Sequence, residues 1–497
     1  MTDTNEFDSE YDVVVVGGGP CGSTVSTLVA KQGHRVLLLE RESFPRYQIG
    51  ESLLPATVHG VCRLLGVTEE LERAAFMVKR GGTFRWGSNP EPWTFAFSSS
   101  PQFAGPSSTA YQVERMRFDK ILLDNARANG VDVREESPVS DVIEDADGRV
   151  TGVTWQDSKG ARHRTSARIV VDASGNGSRI HTRTGGNRKY SEFFRNVALF
   201  GYFRGGKRLP APNRGNILAV AFSAGWFWYI PLTDELTSVG VVLMPEALDR
   251  VRGDRAEALL SLVRECPMIA EFLSDAERVT EGPYGKVRVR KDYSYIQDAF
   301  HKPGLVLAGD AACFIDPVFS SGVHLATYSG LLAARSINTT LSGDVPEQLC
   351  FEEFEARYRQ EYARFHDFLV AFYDMHQDEQ SYFWRAKKVT DGLGTELESF
   401  VELVGGGSSH EGALVSGDRS AAIQELSDFV HRPVVESGED RDLLKTSLAR
   451  SVSREGVRIQ VQAALGENAD EYAPVREGGL VPSADGMHWA HPAPRPS

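Results

Sequence analysis

The apolar positions of this chain fall into short unbroken runs and longer periodic stretches. Tyr11-Asp-Val-Val-Val-Val16 is a β-branched run that reads as a buried strand. Gly17-Gly-Gly-Pro-Cys-Gly22 follows at once, then a helix-compatible stretch from Ser23 to Gln32. A second apolar run, Arg35 to Leu39, is closed by Glu40. Arg115-Met-Arg-Phe-Asp119, with Leu122, opens a helix that runs to about Ala128. Ile169-Val-Val-Asp-Ala-Ser-Gly175 reads as a strand ending in a tight turn, and Gly304-Leu-Val-Leu-Ala-Gly-Asp310 as a strand ending in an acid. Helical spacing covers Val323 to Ile337. Phe351, Phe354, Tyr358, Tyr362, Phe365, Phe368 and Phe372 then mark one face of a long helix. That stripe reads as core, with a wall for a planar substrate as the alternative. Gly405-Gly-Gly-Ser-Ser409 reads as a loop, followed by helix-compatible stretches from Ser420 to Val430 and Asp440 to Ser451. From about Gly466, acidic residues, Gly and Pro dominate, which predicts a flexible tail or a segment laid over the surface.

Composition narrows the class. A chain of 497 residues can bury a large core and divides into two or three folded units. Its 41% hydrophobic and 25% charged residues are ordinary globular usage. A net charge of −14 argues against nucleic acid as a main partner. No apolar run approaches the roughly 18 residues of a membrane span. Met1 to Glu10 is acidic and polar, the opposite of a secretory signal. Five scattered cysteines, Cys21, Cys62, Cys266, Cys313 and Cys350, imply neither a disulfide framework nor a zinc site, so no metal is expected. The expectation is a cytoplasmic protein of enzyme size.

The glycine loop brings in chemistry. It follows a strand, opens a helix and precedes an acid at the end of the next strand, which is the full dinucleotide-binding context. Gly17 permits the sharp turn, Gly19 lets the backbone approach a pyrophosphate, and Gly22 lets the helix pack on the strand. Glu40 can accept hydrogen bonds from ribose hydroxyls. With the later strands, the series resembles the class A flavoprotein monooxygenases and their relatives over roughly residues 10 to 340. In that family a Gly-Asp pair, here Gly309-Asp310, closes over FAD. The resemblance implies FAD as cofactor and places Arg41, Arg115, Asp310, Pro317 and Gly322 around it. No second glycine fingerprint follows a strand, so no separate NAD(P)H domain is expected. The predicted architecture is α/β, an FAD-binding fold of the glutathione-reductase/hydroxybenzoate-hydroxylase type. The FAD domain spans 1–340 discontinuously, with a β-sheet substrate domain inserted at about 80–110 and 185–295. A helical region, 341–465, and the tail, 466–497, complete it.

Trp226-Phe-Trp-Tyr-Ile-Pro231 and Phe44-Pro-Arg-Tyr-Gln-Ile-Gly-Glu-Ser52 resemble motifs of the flavin-dependent halogenases. The resemblance implies that reduced flavin and oxygen give a flavin hydroperoxide, which converts halide to hypohalous acid. Trp226, Trp228, Ile230 and Pro231 would then wall the flavin from the substrate. As a bland strand, the same residues would simply be core. The essential lysine of the family falls on Lys79, whose ammonium can hydrogen-bond hypochlorous acid, or whose free amine can form a chloramine; burial would lower its pKa. Ser321 and Gly322, at the start of the Val323 helix, are the halide-site candidates, because unpaired N–H groups there attract a small anion. Where tryptophan halogenases carry a glutamate, this chain has Phe319. That departure resembles the branch that chlorinates phenols on acyl or peptidyl carrier proteins, in antibiotic and polyketide secondary metabolism. His324 reads as a packed helix histidine or a base for the phenol. The expected partners are a separate flavin reductase and a carrier protein, with chloride as halide. The rivals are an NAD(P)H-dependent aromatic hydroxylase, a prenyl-chain reductase and a non-catalytic FAD-binding protein.

Overall fold

The β-branched opening run forms the strand Ser9–Val16, whose four valines are buried because both faces of the sheet are covered. A computed structural model describes residues 7–86, 91–103, 105–374, 396–407 and 474–492. The helices expected at Ser420–Val430 and Asp440–Ser451 lie outside the described residues. Ser9–Val16 sits within an eight-stranded sheet, parallel to Arg162–Asp172 on one side and Val36–Leu39 on the other. Val13 faces Ile169 and Val36 in register, and Leu305–Leu307 and Asp132–Arg134 extend the sheet outward. The first helix, Pro20–Ala30, begins three residues before the expected start, because Pro20 suits the first helical turn. It packs against the long helix Ser321–Ser342, where a Cβ on Gly330 would stand 3.0 Å from the Cys21 carbonyl oxygen. This is the mixed α/β fold that the sequence predicts.

A second sheet of nine strands carries the aromatic motif. Its order runs Cys313–Phe314, Arg288–Gln297, Arg188–Arg204, Leu236–Leu243, Gly225–Pro231, Ile217–Phe222, Gly81–Arg85, Trp93–Ala96, and the ninth strand, Glu277–Arg278, pairs with Arg188–Arg204 off this path. Period-two alternation sorts the side chains of Gly225–Pro231. Trp226, Trp228 and Ile230 join the main core between the sheets, and Phe227 and Tyr229 join a separate core under the helix Arg255–Glu265. The aromatic stripe lies on the helix Glu347–Asp374 and is buried along its length.

Of the two forms expected for the tail, residues 474–492 take the second, a segment laid over the surface. Val481–Pro482 and Trp489–Ala490 form a small hairpin, with Trp489 3% exposed. Its indole Nε1 donates to Ser336 Oγ at 2.8 Å, and its backbone N donates to Thr339 Oγ1 at 2.7 Å. Arg335 donates to the Gly486 carbonyl at 2.8 Å and Arg357 to that of Leu480 at 2.9 Å. Gly and Pro content correctly marks the turns of this segment, but one tryptophan and one leucine suffice to anchor it.

Trp489→Ala should therefore destabilise the protein by about 3–5 kcal/mol in a denaturant titration. An unchanged midpoint would show that the hairpin adds nothing to the fold.

Candidate active site

A cavity of about 270 Å³ reaches from the glycine loop to the aromatic strand, bounded by both sheets. At one end Gly17 holds φ +101, the left-handed conformation that glycine tolerates, and the start of the Pro20–Ala30 helix faces the space. An added Cβ on Gly22 would run into the Gly17 carbonyl, which accounts for the third glycine by packing; unlike Gly17 and Gly19, it does not line the cavity. Glu40 is 4% exposed, with Oε2 accepting from Gly18 N at 2.7 Å and Oε1 from Glu42 N at 2.9 Å. The carboxylate is thus fixed in place at the cavity wall. Arg41, Asp310, Pro317 and Gly322 also line the cavity. Arg115 does too, with its guanidinium committed: it pairs with Asp119 at 2.6 Å and donates to the Ile49 carbonyl at 2.5 Å. Open backbone at a helix N-terminus, a fixed acid and an apolar far end fit FAD.

At that far end stand Trp226, Trp228 and Ile230; Pro231 ends the strand, buried, without lining the cavity. Trp226 Nε1 donates to Tyr373 Oη at 2.5 Å, and Tyr373 donates to the buried Asp316 at 3.0 Å. Asp316 accepts from Val318 N at 3.2 Å, and burial pushes its carboxyl up to about 6. The aromatic wall is therefore tied to the turn that precedes the Ser321–Ser342 helix. Ser320, at φ +61, makes the left-handed step into that helix. Of the two halide candidates only Gly322 lines the cavity; the Ser321 side chain is buried with its hydroxyl unpaired. Phe319 stacks at 5.1 Å on Phe368 and lies 4.8 Å from Phe372, inside an aromatic cluster. His324 pairs with Glu361 at 3.1 Å, fully buried and away from the cavity lining.

Lys79 does not line this cavity. It ends the strand Met77–Lys79, 2% exposed, with Nζ donating to the Leu53 carbonyl at 3.0 Å and 5.4 Å from the centre of the Phe97 ring. No carboxylate pairs with it among the described residues, and burial alone pushes it down to about 7. Leu53 continues a segment whose Glu51 and Ser52 face the cavity. The lysine and the cofactor cavity thus lie against the same short stretch of chain. Glu51 was not singled out by the sequence, although Gly50-Glu-Ser52 belongs to the motif quoted for the family resemblance.

Comparison with known proteins bears on this site. The family model described as tryptophan halogenase matches residues 12–106 and 100–422. A tryptophan 2-halogenase from Chondromyces crocatus is 32% identical over 444 residues, covering 88% of this chain and 83% of the relative. The solved structure of the myxobacterial chondrochloren halogenase CndH, a variant of FAD-dependent halogenases, is 49% identical with a TM-score of 0.75. It covers 97% of this chain and 100% of that one. A triple mutant of the flavin-dependent brominase Bmp2 matches at 25% identity and TM-score 0.70, covering 85% of this chain and 100% of that one.

The lowered basicity of Lys79 has a stability signature. Folded, it loses its proton at about 7; unfolded, near 10.4. Between these values the unfolded chain binds the extra proton, so stability rises with pH across that window. Lys79→Met removes the burden, and should raise stability by on the order of 2–4 kcal/mol near pH 6, with the gain shrinking toward pH 10. Paired melting curves across pH test this, and a gain that does not vary with pH contradicts the assignment.

Proposed function

The chain belongs to the flavin-dependent halogenases, oxidoreductases that act on aromatic substrates, and from that premise we propose that it chlorinates a phenolic ring carried by an acyl or peptidyl carrier protein. A separate flavin reductase supplies the reduced cofactor. The observation that carries the reading is Lys79: a buried lysine without a counter-ion among the described residues, held on Leu53 across the segment that walls the cofactor cavity.

Gly17, Gly19 and the adjoining helix N-terminus would hold the FAD pyrophosphate, and Glu40 the ribose. Reduced FAD supplies the electrons with which oxygen converts halide to hypohalous acid. The start of the Ser321–Ser342 helix, with Gly322 on the cavity, would attract the halide through its N–H groups and helix dipole. Trp226, Trp228 and Ile230 hold the organic substrate out of the cofactor cavity by bulk. Lys79 receives the oxidised halogen, as an ammonium donating a hydrogen bond or as an amine taking the halogen on nitrogen. With the lysine half-protonated near neutral pH, both routes are open to it.

Phenol as substrate is supported by Phe319, which packs into an apolar cluster and offers no carboxylate base. A phenol oxygen already activates its own ring toward electrophiles and does without one. Chloride is part of the proposal, since the relatives include a brominase. The product belongs to secondary metabolism, such as antibiotic or polyketide biosynthesis, and the reaction takes place in the cytoplasm.

Wild type and Lys79→Ala should be compared with FAD, a flavin reductase, NADH, oxygen and chloride on a carrier-bound phenolic acyl group. Mass spectrometry should find one chlorine in place of hydrogen with wild type, and none with a variant that still binds FAD and consumes oxygen. A chloride-independent gain of one oxygen would replace this reading with the hydroxylase.

A further inference from the structure

Resting on the halogenase reading, we propose that Glu51 is the proton donor of the cofactor cavity, reloaded from the surface through Tyr202 and Tyr47. Halide oxidation consumes a proton: FADH2 + O2 + X⁻ + H⁺ gives FAD + HOX + H2O. FADH2 and the halide each yield two electrons, one oxygen atom leaves as water, and the other joins the halogen. That proton must be delivered to the reacting atoms, and an acid in the cavity wall can supply it.

Glu51 lines the cavity and is 2% exposed. Its Oε1 accepts from Tyr202 Oη at 2.7 Å, and Tyr202 Oη lies 2.7 Å from Tyr47 Oη. Its Oε2 makes no hydrogen bond of ordinary geometry among the described residues, although the Ser238 hydroxyl also acts on the carboxyl, so this oxygen is open to a proton. Tyr47 is half-buried and lines a second, more open cavity that shares Gln48, Ile49, Phe200 and Arg290 with the first, and the Arg288 guanidinium stands 3.6 Å over its ring. The three side chains therefore link the lining of the cofactor cavity to that of the more open one. Each phenol can accept a proton while passing on another, and burial pushes both Tyr47 and Tyr202 above their usual range, so neither accumulates as phenolate.

Every element around Glu51 contributes to its charge state. Burial pushes it up to about 7, against the pull of the Ser238 and Tyr202 hydroxyls and the Arg115 guanidinium, while Glu114 pushes it further up. Arg115 is itself neutralised by Asp119, and Glu114 accepts from Tyr284 Oη at 3.2 Å. A carboxyl that changes state near neutral pH can both give up and recover a proton in each cycle.

Infrared difference spectra of the full-length protein, with and without FAD, test the acid directly. A protonated carboxyl band should disappear with a midpoint near pH 7 and be missing from Glu51→Gln. In stopped flow, Glu51→Gln should bind FAD as wild type does, yet slow halide-dependent return of oxidised flavin on the order of 100-fold and lose the neutral-pH limb. Tyr47→Phe, outside the cofactor cavity, should keep the band, slow the same step less, and enlarge its solvent isotope effect. A missing band, or a Glu51→Gln rate and pH profile like wild type, overturns the donor; an unchanged Tyr47→Phe overturns the relay. Should Glu51→Gln fail to load FAD, the band and Tyr47→Phe decide. A wild type that yields no scavenger-trapped hypohalous acid would overturn the halogenase reading itself, and is told apart because the infrared band does not depend on it.

Discussion

The site depends on how one extended segment, Gly50 to Leu54, is pinned. Arg115 holds its start through the Ile49 carbonyl, and is itself locked by both oxygens of Asp119. Val113 N donates to the Glu51 carbonyl and Leu53 N to the Tyr111 carbonyl, so the segment is clamped on a second flank. With its backbone fixed, the segment serves two sides. Glu51 and Ser52 face the cofactor cavity, and the Leu53 carbonyl faces Lys79. A shift of one residue would put glycine or serine in place of the acid and move the Leu53 carbonyl away from Lys79. Few other places in the fold carry so much of the chemistry on so few backbone bonds.

The second constraint is the coupling between the aromatic strand and the turn before the Ser321–Ser342 helix. An indole N–H buried against a cofactor cavity needs a partner, and Trp226 finds one in Tyr373, which reaches Asp316. Asp316 also caps the short turn Pro317–Phe319. Three elements distant in sequence thus set one distance, that between the wall and the helix N-terminus where halide would bind. Trp228, by contrast, is satisfied within the sheet by Ser238. The strand reads as ordinary core because the side chains on both of its faces join buried clusters. What the sequence does not show is that the face with Trp226, Trp228 and Ile230 also lines the cavity.

What the sequence makes legible is local. A glycine loop between a strand and a helix, an acid at the next strand end, and helix phase at Arg115–Ala128 all depend on neighbours a few residues apart. Lys79 was reached only through family resemblance, since a Lys-Arg pair beside a strand carries no signal of burial. Glu51 escaped because its partners lie far along the chain: Tyr202 is 151 positions away. The docked hairpin escaped for a similar reason, as Trp489 meets Ser336 across 153 positions. Ser321 and Gly322 illustrate the remaining limit. Sequence places both at the helix start, but only the fold decides that Gly322 faces the cavity and the Ser321 hydroxyl does not.

Burial acts on Glu51 and Lys79 with the same force and opposite results: it raises an acid and lowers a base until both change state near neutral pH. Placed together they would form an ion pair, and each would return toward its ordinary range. The segment between them keeps them apart, so each remains a partly neutral group able to exchange a proton. The two sides also have different needs. Oxidising halide takes up a proton, whereas transfer of the halogen from hypohalous acid to a ring replaces a ring hydrogen and forms water, with no net proton. A proton supply is needed on the Glu51 side alone, where Tyr202 and Tyr47 would provide it. The Lys79 side, bounded by Phe97 and a backbone carbonyl, needs none, and its burial would shield an oxidant held there from water or a stray nucleophile.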